Sequence, residues 1–111
     1  MALLSVGVLG SALRVQAAGA GLYTADQAKR GETVYQGQCV SCHGSDLDGI
    51  GQAPPLHGDD FLSRYTGEPI DALFSKIKTS MPATSPGSLT PAQTADVLAY
   101  VLSSNKYAAG T

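Results

Sequence analysis

The pentapeptide Cys39-Val40-Ser41-Cys42-His43 contains the only two cysteines of a 111-residue chain. The thiols lie three positions apart, which is too local for the disulfide frameworks that hold small secreted domains together. A thiol redox pair would need a βαβ context, and no convincing strand pattern surrounds the motif. A zinc site would need further ligands, but His43 and His57 are the only histidines, and the adjacent Cys42 could hardly share a metal with His43. We therefore interpret the pentapeptide as an attachment site for a prosthetic group.

Cys-x-x-Cys-His is the attachment sequence for c-type haem. Two thiols add across the two vinyl groups on one edge of the porphyrin, so Cys39 and Cys42 must lie close together on one turn of the chain. The adjacent His43 then projects its imidazole towards the iron as the proximal ligand. The sequence therefore predicts one covalently bound haem c with its iron.

Met81 is the first candidate for the second axial ligand of the iron. It is the only methionine after Met1, it ends an apolar stripe, and Pro82 follows it. A thioether ligand stabilises ferrous iron and raises the reduction potential. Three alternatives stay open: His57 as the ligand, a distal site that is open or filled by water, and Met81 as an ordinary core residue, since methionine fills gaps readily. The predicted metal ligands are His43 and Met81.

Size and composition favour a single globular domain with a cofactor in its core. The length leaves room for one domain, and 43% hydrophobic with 14% charged residues is typical of globular proteins. The chain has no Trp and only 2 Phe, and small domains with few bulky apolar side chains often need a cofactor or a metal. The net charge of −2 argues against a nucleic-acid partner, because phosphates require a basic surface.

The N-terminal residues resemble an export signal. The chain is apolar or small from Ala2 to Leu13, although no Lys or Arg precedes the run. Small residues follow it, and either Val15-Gln16-Ala17 or Ala18-Gly19-Ala20 fits the cleavage site. The alternative is an uncleaved membrane anchor, but the run stops at Arg14, short of the roughly 20 apolar residues that a spanning helix requires. We predict a signal peptide over residues 1–20, a mature domain over residues 21–111, periplasmic localisation, and no membrane insertion after cleavage.

Three helical patterns separated by loops rich in glycine and proline predict an all-α fold. The first pattern covers residues 25–36, where Thr24 and Gln27 suggest a capping box and Gly37 a stop. The second covers residues 69–80. The third follows a capping box of Thr90 and Gln93, with Pro91 at the first helical position. Residues 44–57 read as a loop, with a short helical turn at 59–64, and no strand is expected.

With these elements in place, the chain resembles the class I c-type cytochromes over nearly all of the predicted mature region. Gly31 and Tyr35 precede Cys39 at the spacing of the family's first-helix glycine and aromatic residue. Val97 and Tyr100 fall where the family's last helix crosses that glycine. The resemblance implies that Gly31 lets the two helix backbones approach closely, because glycine has no Cβ.

The same resemblance suggests further residues around the haem. Pro54 and Leu56 are similar to the family's loop after the attachment motif, in which the proline carbonyl accepts a hydrogen bond from the proximal imidazole. Met81-Pro82 looks like the family's distal-ligand segment. In bacterial cytochromes that accompany quinoprotein dehydrogenases, Trp is common where this chain has Tyr65, which implies that Tyr65 packs at the haem edge. We therefore expect Pro54, Leu56 and Tyr65 to be cofactor-binding residues.

A narrower similarity is to the bacterial cytochromes that accompany quinoprotein alcohol and sugar dehydrogenases. It is carried by the segment from Phe61 through Tyr65 and Gly67 to Met81, together with Gly44, Asp46 and Leu47. Four aspartates also cluster in the loops that flank the haem in this interpretation, namely Asp46, Asp48, Asp59 and Asp60. They are either ordinary solvated charges or a docking face for a basic partner.

A haem with His and Met ligands has no open position for a substrate, so it moves single electrons and catalyses no bond chemistry. We therefore expect an electron carrier of a respiratory chain, not an enzyme. Its expected donor is a dehydrogenase or a cytochrome complex, and its expected acceptor is an oxidase. The alternatives are the electron-accepting haem subunit of a quinoprotein dehydrogenase, a small peroxidase, and a haem-based ligand sensor with an open distal site.

Overall fold

Seven elements follow one another along residues 20–110, the part of the chain that this computed structural model describes. They are β1 (Ala20–Thr24), α1 (Ala25–Gln38), α2 (Val40–His43), α3 (Gly58–Tyr65), α4 (Ile70–Ser80), α5 (Pro91–Ser104) and β2 (Ala108–Gly110). Helices dominate, so the predicted all-α fold class is confirmed. No helix within these residues is long and apolar enough to cross a membrane. Apart from Ala20, the predicted signal peptide lies outside the described residues.

Capping boxes begin the two longest helices, as the sequence predicts. In α1 the backbone N–H of Gln27 donates to Oγ1 of Thr24 at 3.1 Å, and the N–H of Thr24 donates to Oε1 of Gln27 at 2.9 Å. Thr90 and Gln93 form the same pair of bonds, also at 3.1 and 2.9 Å, at the start of α5. Each box satisfies backbone donors that a helix N-terminus otherwise leaves without partners.

The predicted stop of α1 at Gly37 is wrong, because the helix continues to Gln38. Helical hydrogen bonding then runs on into α2, where the N–H of His43 donates to the carbonyl of Cys39 at 2.9 Å. The chain leaves the helical path at Gly44, whose φ of 85° is accessible to glycine at little cost. Glycine permits a helix to end but does not force it, and here the following residues still find helical partners.

The structure also contains two short strands that the sequence analysis did not predict. β1 and β2 pair in parallel, joining the residues before α1 to those after α5. The hydroxyl of Tyr23 donates to the backbone carbonyl of Tyr107 across the same junction. Neither segment shows an alternating apolar pattern, so the pairing results from the crossing of α1 and α5, which brings the two ends together.

The crossing of α1 and α5 is the tightest contact between the helices. A Cβ on Gly31 would lie 1.7 Å from the carbonyl oxygen of Asp96 and 3.0 Å from Cβ of Tyr100. The close approach predicted for Gly31 is therefore confirmed. The rings of Tyr35 and Tyr100 pack beside it with centroids 5.2 Å apart. Arg30 forms a bidentate ion pair with Asp96, with Nε 3.0 Å from Oδ2 and Nη2 3.2 Å from Oδ1.

The apolar core collects side chains from α1, α3, α4 and α5 and from the segments beside them. Its buried members are Tyr23, Tyr35, Leu47, Phe61, Leu73, Leu89, Val97, Leu98, Ala99, Val101, Leu102 and Tyr107. Further apolar side chains pack against this core while remaining partly exposed, among them Val40, Leu56, Tyr65 and Phe74. Several of these belong to the attachment motif or to the loop that follows it.

Candidate functional site

Helix α2 and its N-terminal cap, Cys39, place the two cysteines and the histidine of the motif on one helical turn. The backbone N–H groups of Cys42 and His43 both donate to the carbonyl of Cys39, at 3.2 and 2.9 Å. Both thiols are free; Cys39 is partly buried, Cys42 is exposed, and His43 is only 7% exposed. The turn therefore presents two available sulfurs and one sheltered imidazole within five residues.

The surroundings of Cys39 favour an uncharged sulfur. Burial raises the pKa of the Cys39 thiol to about 11, and the neighbouring Cys42 adds to the shift. The thiol consequently stays protonated at neutral pH. A thioether is also uncharged, so covalent attachment to a porphyrin would place no charge in this environment.

The imidazole of His43 makes one hydrogen bond, to the following loop. Its Nδ1 lies 3.1 Å from the carbonyl oxygen of Pro54. Because a carbonyl only accepts, Nδ1 must carry the proton, which leaves the lone pair of the imidazole on Nε2. That nitrogen makes no hydrogen bond within the described part of the chain, and a metal-ligating histidine is commonly oriented in this way.

The loop over residues 44–57 is itself folded back onto α2. The N–H of Gly49 donates to the carbonyl of His43 at 2.8 Å, and the N–H of Ile50 donates to that of Cys42 at 3.1 Å. Inside the loop, the N–H of Leu56 donates to the carbonyl of Leu47 at 2.9 Å. These backbone bonds bring the Pro54 carbonyl to the imidazole.

The other predicted cofactor-binding residues lie on neighbouring elements. Leu56 belongs to the folded loop and is partly buried. Tyr65 is the last residue of α3, and its ring packs on Phe61 with centroids 4.9 Å apart. Met81 directly follows α4, is partly buried, and donates its N–H to Ile77 at 3.0 Å. The structure thus joins Pro54 directly to His43, while contacts of Leu56, Tyr65 and Met81 with a haem stay predictions.

His57, the rival distal ligand, is engaged elsewhere. Its Nε2 hydrogen-bonds the carboxylate of Asp48 at the surface. This bond is the main cause that lowers the pKa of Asp48. An imidazole bound to iron through Nε2 would have to give up the bond to Asp48.

Asn105 is a residue beside the site that the sequence analysis did not single out. It follows α5, and its side chain bonds to three backbone groups, two of which belong to residues on either side of His57. Asparagine is common at helix ends, and the place of Asn105 at the end of a predicted helix is the only indication of its role that the sequence gives. The two partners in the loop lie almost 50 residues away, so local patterns could not indicate them.

Taken together, these residues fit a covalently bound haem. Two thiols share one turn, the imidazole keeps Nε2 available, and apolar side chains around the motif remain partly exposed. A porphyrin would cover apolar surface of this kind, which favours its burial.

Comparisons with known proteins agree with this geometry. The model of the family described as cytochrome c oxidase, cbb3-type, subunit III matches residues 26–101. No curated protein matches the chain. Among solved structures, the sulfane dehydrogenase SoxCD from Paracoccus pantotrophus matches with a TM-score of 0.62 and 22% sequence identity. The match covers 95% of this chain but 56% of that chain, and at this identity it shows the fold alone.

The family match confirms the prediction of a small class I c-type cytochrome that carries covalently bound haem c. Electron transfer is the general function of such proteins. The matched region contains the attachment motif, the helix crossing at Gly31 and Met81. The chain therefore belongs to the family of c-type cytochromes described as cytochrome c oxidase, cbb3-type, subunit III.

Proposed function

We propose that this chain is a periplasmic electron carrier whose haem iron is ligated by His43 and Met81. The observation that carries the proposal is the bond between Nδ1 of His43 and the Pro54 carbonyl, which leaves Nε2 available to a metal. Haem, when bound, supplies an iron that cycles between the ferric and ferrous states by gaining and losing one electron. The chain's own residues hold that iron, set its electronic surroundings and limit access to it.

Cys39 and Cys42 are the proposed covalent anchors. Each thiol would add across one vinyl group, so the sulfur gains a bond to carbon and its hydrogen goes to the adjacent vinyl carbon. Because both sulfurs stand on the turn that ends with His43, the anchors also limit how far the imidazole can move from its ligating position.

Met81 is the proposed distal ligand. Its place directly after α4 ties the sulfur to a regular element, and the side chain is partly buried. The engagement of His57 with Asp48 favours Met81 over its rival. A thioether in this position closes the iron to small molecules and favours the ferrous state.

We further propose that electrons enter and leave beside the loop over residues 44–57. Ile50 in this loop is 57% exposed, and its N–H bonds to the carbonyl of the exposed Cys42. Asp46, Asp48, Asp59 and Asp60 are exposed nearby in sequence, with no Lys or Arg between residues 44 and 63. A redox partner with a basic rim would be steered to such a face, and a dehydrogenase or cytochrome complex as donor and an oxidase as acceptor fit this role.

The ligand assignment is tested by two matched variants, Met81→Ala and His57→Ala. We expect oxidised unmodified protein to show the weak far-red sulfur-to-iron absorption band. Met81→Ala should lose that band, lower the reduction potential and bind carbon monoxide rapidly when reduced, because it opens one position on the iron. His57→Ala should keep the band. Rapid carbon monoxide binding by the unmodified protein would instead support a ligand sensor. An unmodified protein that is low-spin but lacks the band, and in which His57→Ala rather than Met81→Ala opens the iron to carbon monoxide, would assign His57.

A second candidate is the haem subunit of a larger dehydrogenase. It is favoured by the structural match to the sulfane dehydrogenase SoxCD, whose matched chain is longer than this one. Co-purification of a larger protein with the haem-loaded chain would support the subunit, whereas a free monomer reduced by several donors would support the mobile carrier.

Export and cleavage after residue 20 are part of the proposal. The apolar run over residues 2–13 supports them. N-terminal sequencing of the haem-loaded protein from a periplasmic fraction should begin near Gly21. An intact N-terminus in the membrane fraction would indicate an anchor instead.

A further inference from the structure

The side chain of Asn105 connects the end of α5 to the end of the loop that follows the attachment motif. Its Nδ2 donates to the carbonyl of Leu56 at 2.9 Å, and its Oδ1 accepts from the N–H of Gly58 at 3.0 Å. Nδ2 also donates to the carbonyl of Val101 at 2.8 Å, inside α5. The side-chain amide of Asn105 therefore bonds to the backbone on both sides of His57 and links this segment to the C-terminal helix.

The segment that Asn105 anchors is next to the Pro54 carbonyl, the group that orients the imidazole. Leu56 is two residues after Pro54, and its own N–H is bonded to Leu47. With the carbonyl of Leu56 held by Asn105, both backbone groups of this residue have partners. The chain next to the Pro54 carbonyl is thus anchored by the residue that directly follows α5, almost 50 residues away from Leu56.

We propose that Asn105 is a positioning residue for the proximal ligand: by anchoring Leu56 and Gly58, it keeps the Pro54 carbonyl on Nδ1 of His43. The inference rests on the proposed role of His43. A hydrogen bond from Nδ1–H makes the imidazole a stronger electron donor, which stabilises ferric iron and lowers the reduction potential. Loosening the anchor should weaken that bond and raise the potential.

A purely structural role for Asn105 would be to end α5. The bond to Val101 serves that end, and the neighbouring Ser104 makes a similar one, with Oγ donating to the carbonyl of Tyr100 at 2.9 Å. Ser104 makes no side-chain bond to the loop within the described residues. Ser104→Ala is therefore the matched control, since it removes a helix-end bond and leaves the loop anchor in place.

The experiment compares reduced, haem-loaded Asn105→Ala and Ser104→Ala with the unmodified protein. The readouts are solvent exchange of the His43 Nδ1 proton by NMR, the reduction potential, and global stability by denaturant unfolding. We expect Asn105→Ala to speed that exchange about tenfold, the effect of losing one hydrogen bond, beyond what its global stability explains. Its potential should rise, while Ser104→Ala should change neither quantity.

Asn105→Asp separates the two halves of the anchor. It keeps the oxygen that accepts from Gly58 and loses the donor to Leu56, so we expect exchange as fast as in Asn105→Ala. Wild-type exchange and potential in Asn105→Ala, or equal changes in Ser104→Ala, would overturn the proposal. The sulfur-to-iron band of the unmodified protein tests the ligation separately, so a failure of the proposed function would be recognised independently of Asn105.

Discussion

The crossing of α1 and α5 and the loop over residues 44–57 are stabilised in different ways. At the crossing, Gly31 brings two backbones into contact and two tyrosine rings pack beside them. The loop contributes one buried apolar side chain, Leu47, and depends instead on backbone hydrogen bonds to α2. The helix crossing is stabilised by close packing, whereas the loop that supports the imidazole is stabilised by individual hydrogen bonds.

This difference indicates where the protein can be tuned. The helix crossing tolerates few substitutions, because protein interiors are close-packed and the two backbones have no space into which to move apart. A loop held by separate hydrogen bonds can change one bond at a time, each worth about 0.5–1.5 kcal/mol. The orientation and hydrogen bonding of the proximal ligand can therefore vary without altering the packing of α1 against α5.

The largest expected effect is at the crossing. Gly31→Ala should lower the free energy of unfolding by about 3 kcal/mol, because the new Cβ would overlap the Asp96 carbonyl. Gly37→Ala is the matched control in the same helix, where a Cβ meets nothing within 4 Å. That control should gain up to about 1 kcal/mol from the better helix former. Denaturant unfolding of both haem-loaded variants measures the difference, and equal stabilities would refute the packing argument.

An intermediate effect is expected where the two regions meet. The hydroxyl of the fully buried Tyr35 donates to the carbonyl of Gly44 at 2.6 Å, joining α1 to the first residue of the loop. Burial raises the pKa of Tyr35 well above its usual range, so the hydroxyl remains a donor. Tyr35→Phe should cost about 1–2 kcal/mol of stability.

Tyr100→Phe controls for the change of tyrosine to phenylalanine in the same ring pair. It should alter the free energy of unfolding by less than about 0.5 kcal/mol. Amide exchange should show extra opening of residues 44–57 in Tyr35→Phe only. If protection is lost equally in α5, the Tyr35 hydroxyl stabilises the helix crossing as a whole and not specifically the contact between α1 and the loop.

The smallest expected effect concerns the exposed pair of Asp48 and His57. The hydrogen bond from His57 lowers the pKa of Asp48 in the folded protein. The resulting stabilisation is fully present above the ordinary carboxyl pKa and is lost as the pH falls through the lowered one. The difference in stability between the unmodified protein and His57→Gln should therefore shrink on acidification.

Unfolding curves across the acid range, together with an NMR titration of Asp48, measure this effect. Glu68→Gln serves as the control, since it removes an exposed carboxylate outside the loop. A titration of Asp48 that is unchanged in His57→Gln would show that the pair does not form in solution. Solvent screening keeps the expected change small.

Sequence alone was sufficient for the features encoded by neighbouring residues. The attachment motif, the two capping boxes and the pairing of Gly31 with α5 were all predicted, and the last depended on the family resemblance. Gly37 shows the limit of local patterns, because glycine only permits a helix to end. The bond between Asn105 and the loop had no local signal, since its partners are distant in sequence.

The order of residues by itself determined that this chain attaches haem and begins two long helices at Thr24 and Thr90, because thioether spacing and helix capping act within three or four residues. Only the tertiary structure decided the parallel pairing of β1 with β2, the engagement of His57 with Asp48, and the anchoring of the loop by Asn105. The strand pairing and the Asn105 anchor join segments that are far apart in sequence, and packing places them within hydrogen-bond distance. Asp48 and His57 meet because the loop between them folds back on itself.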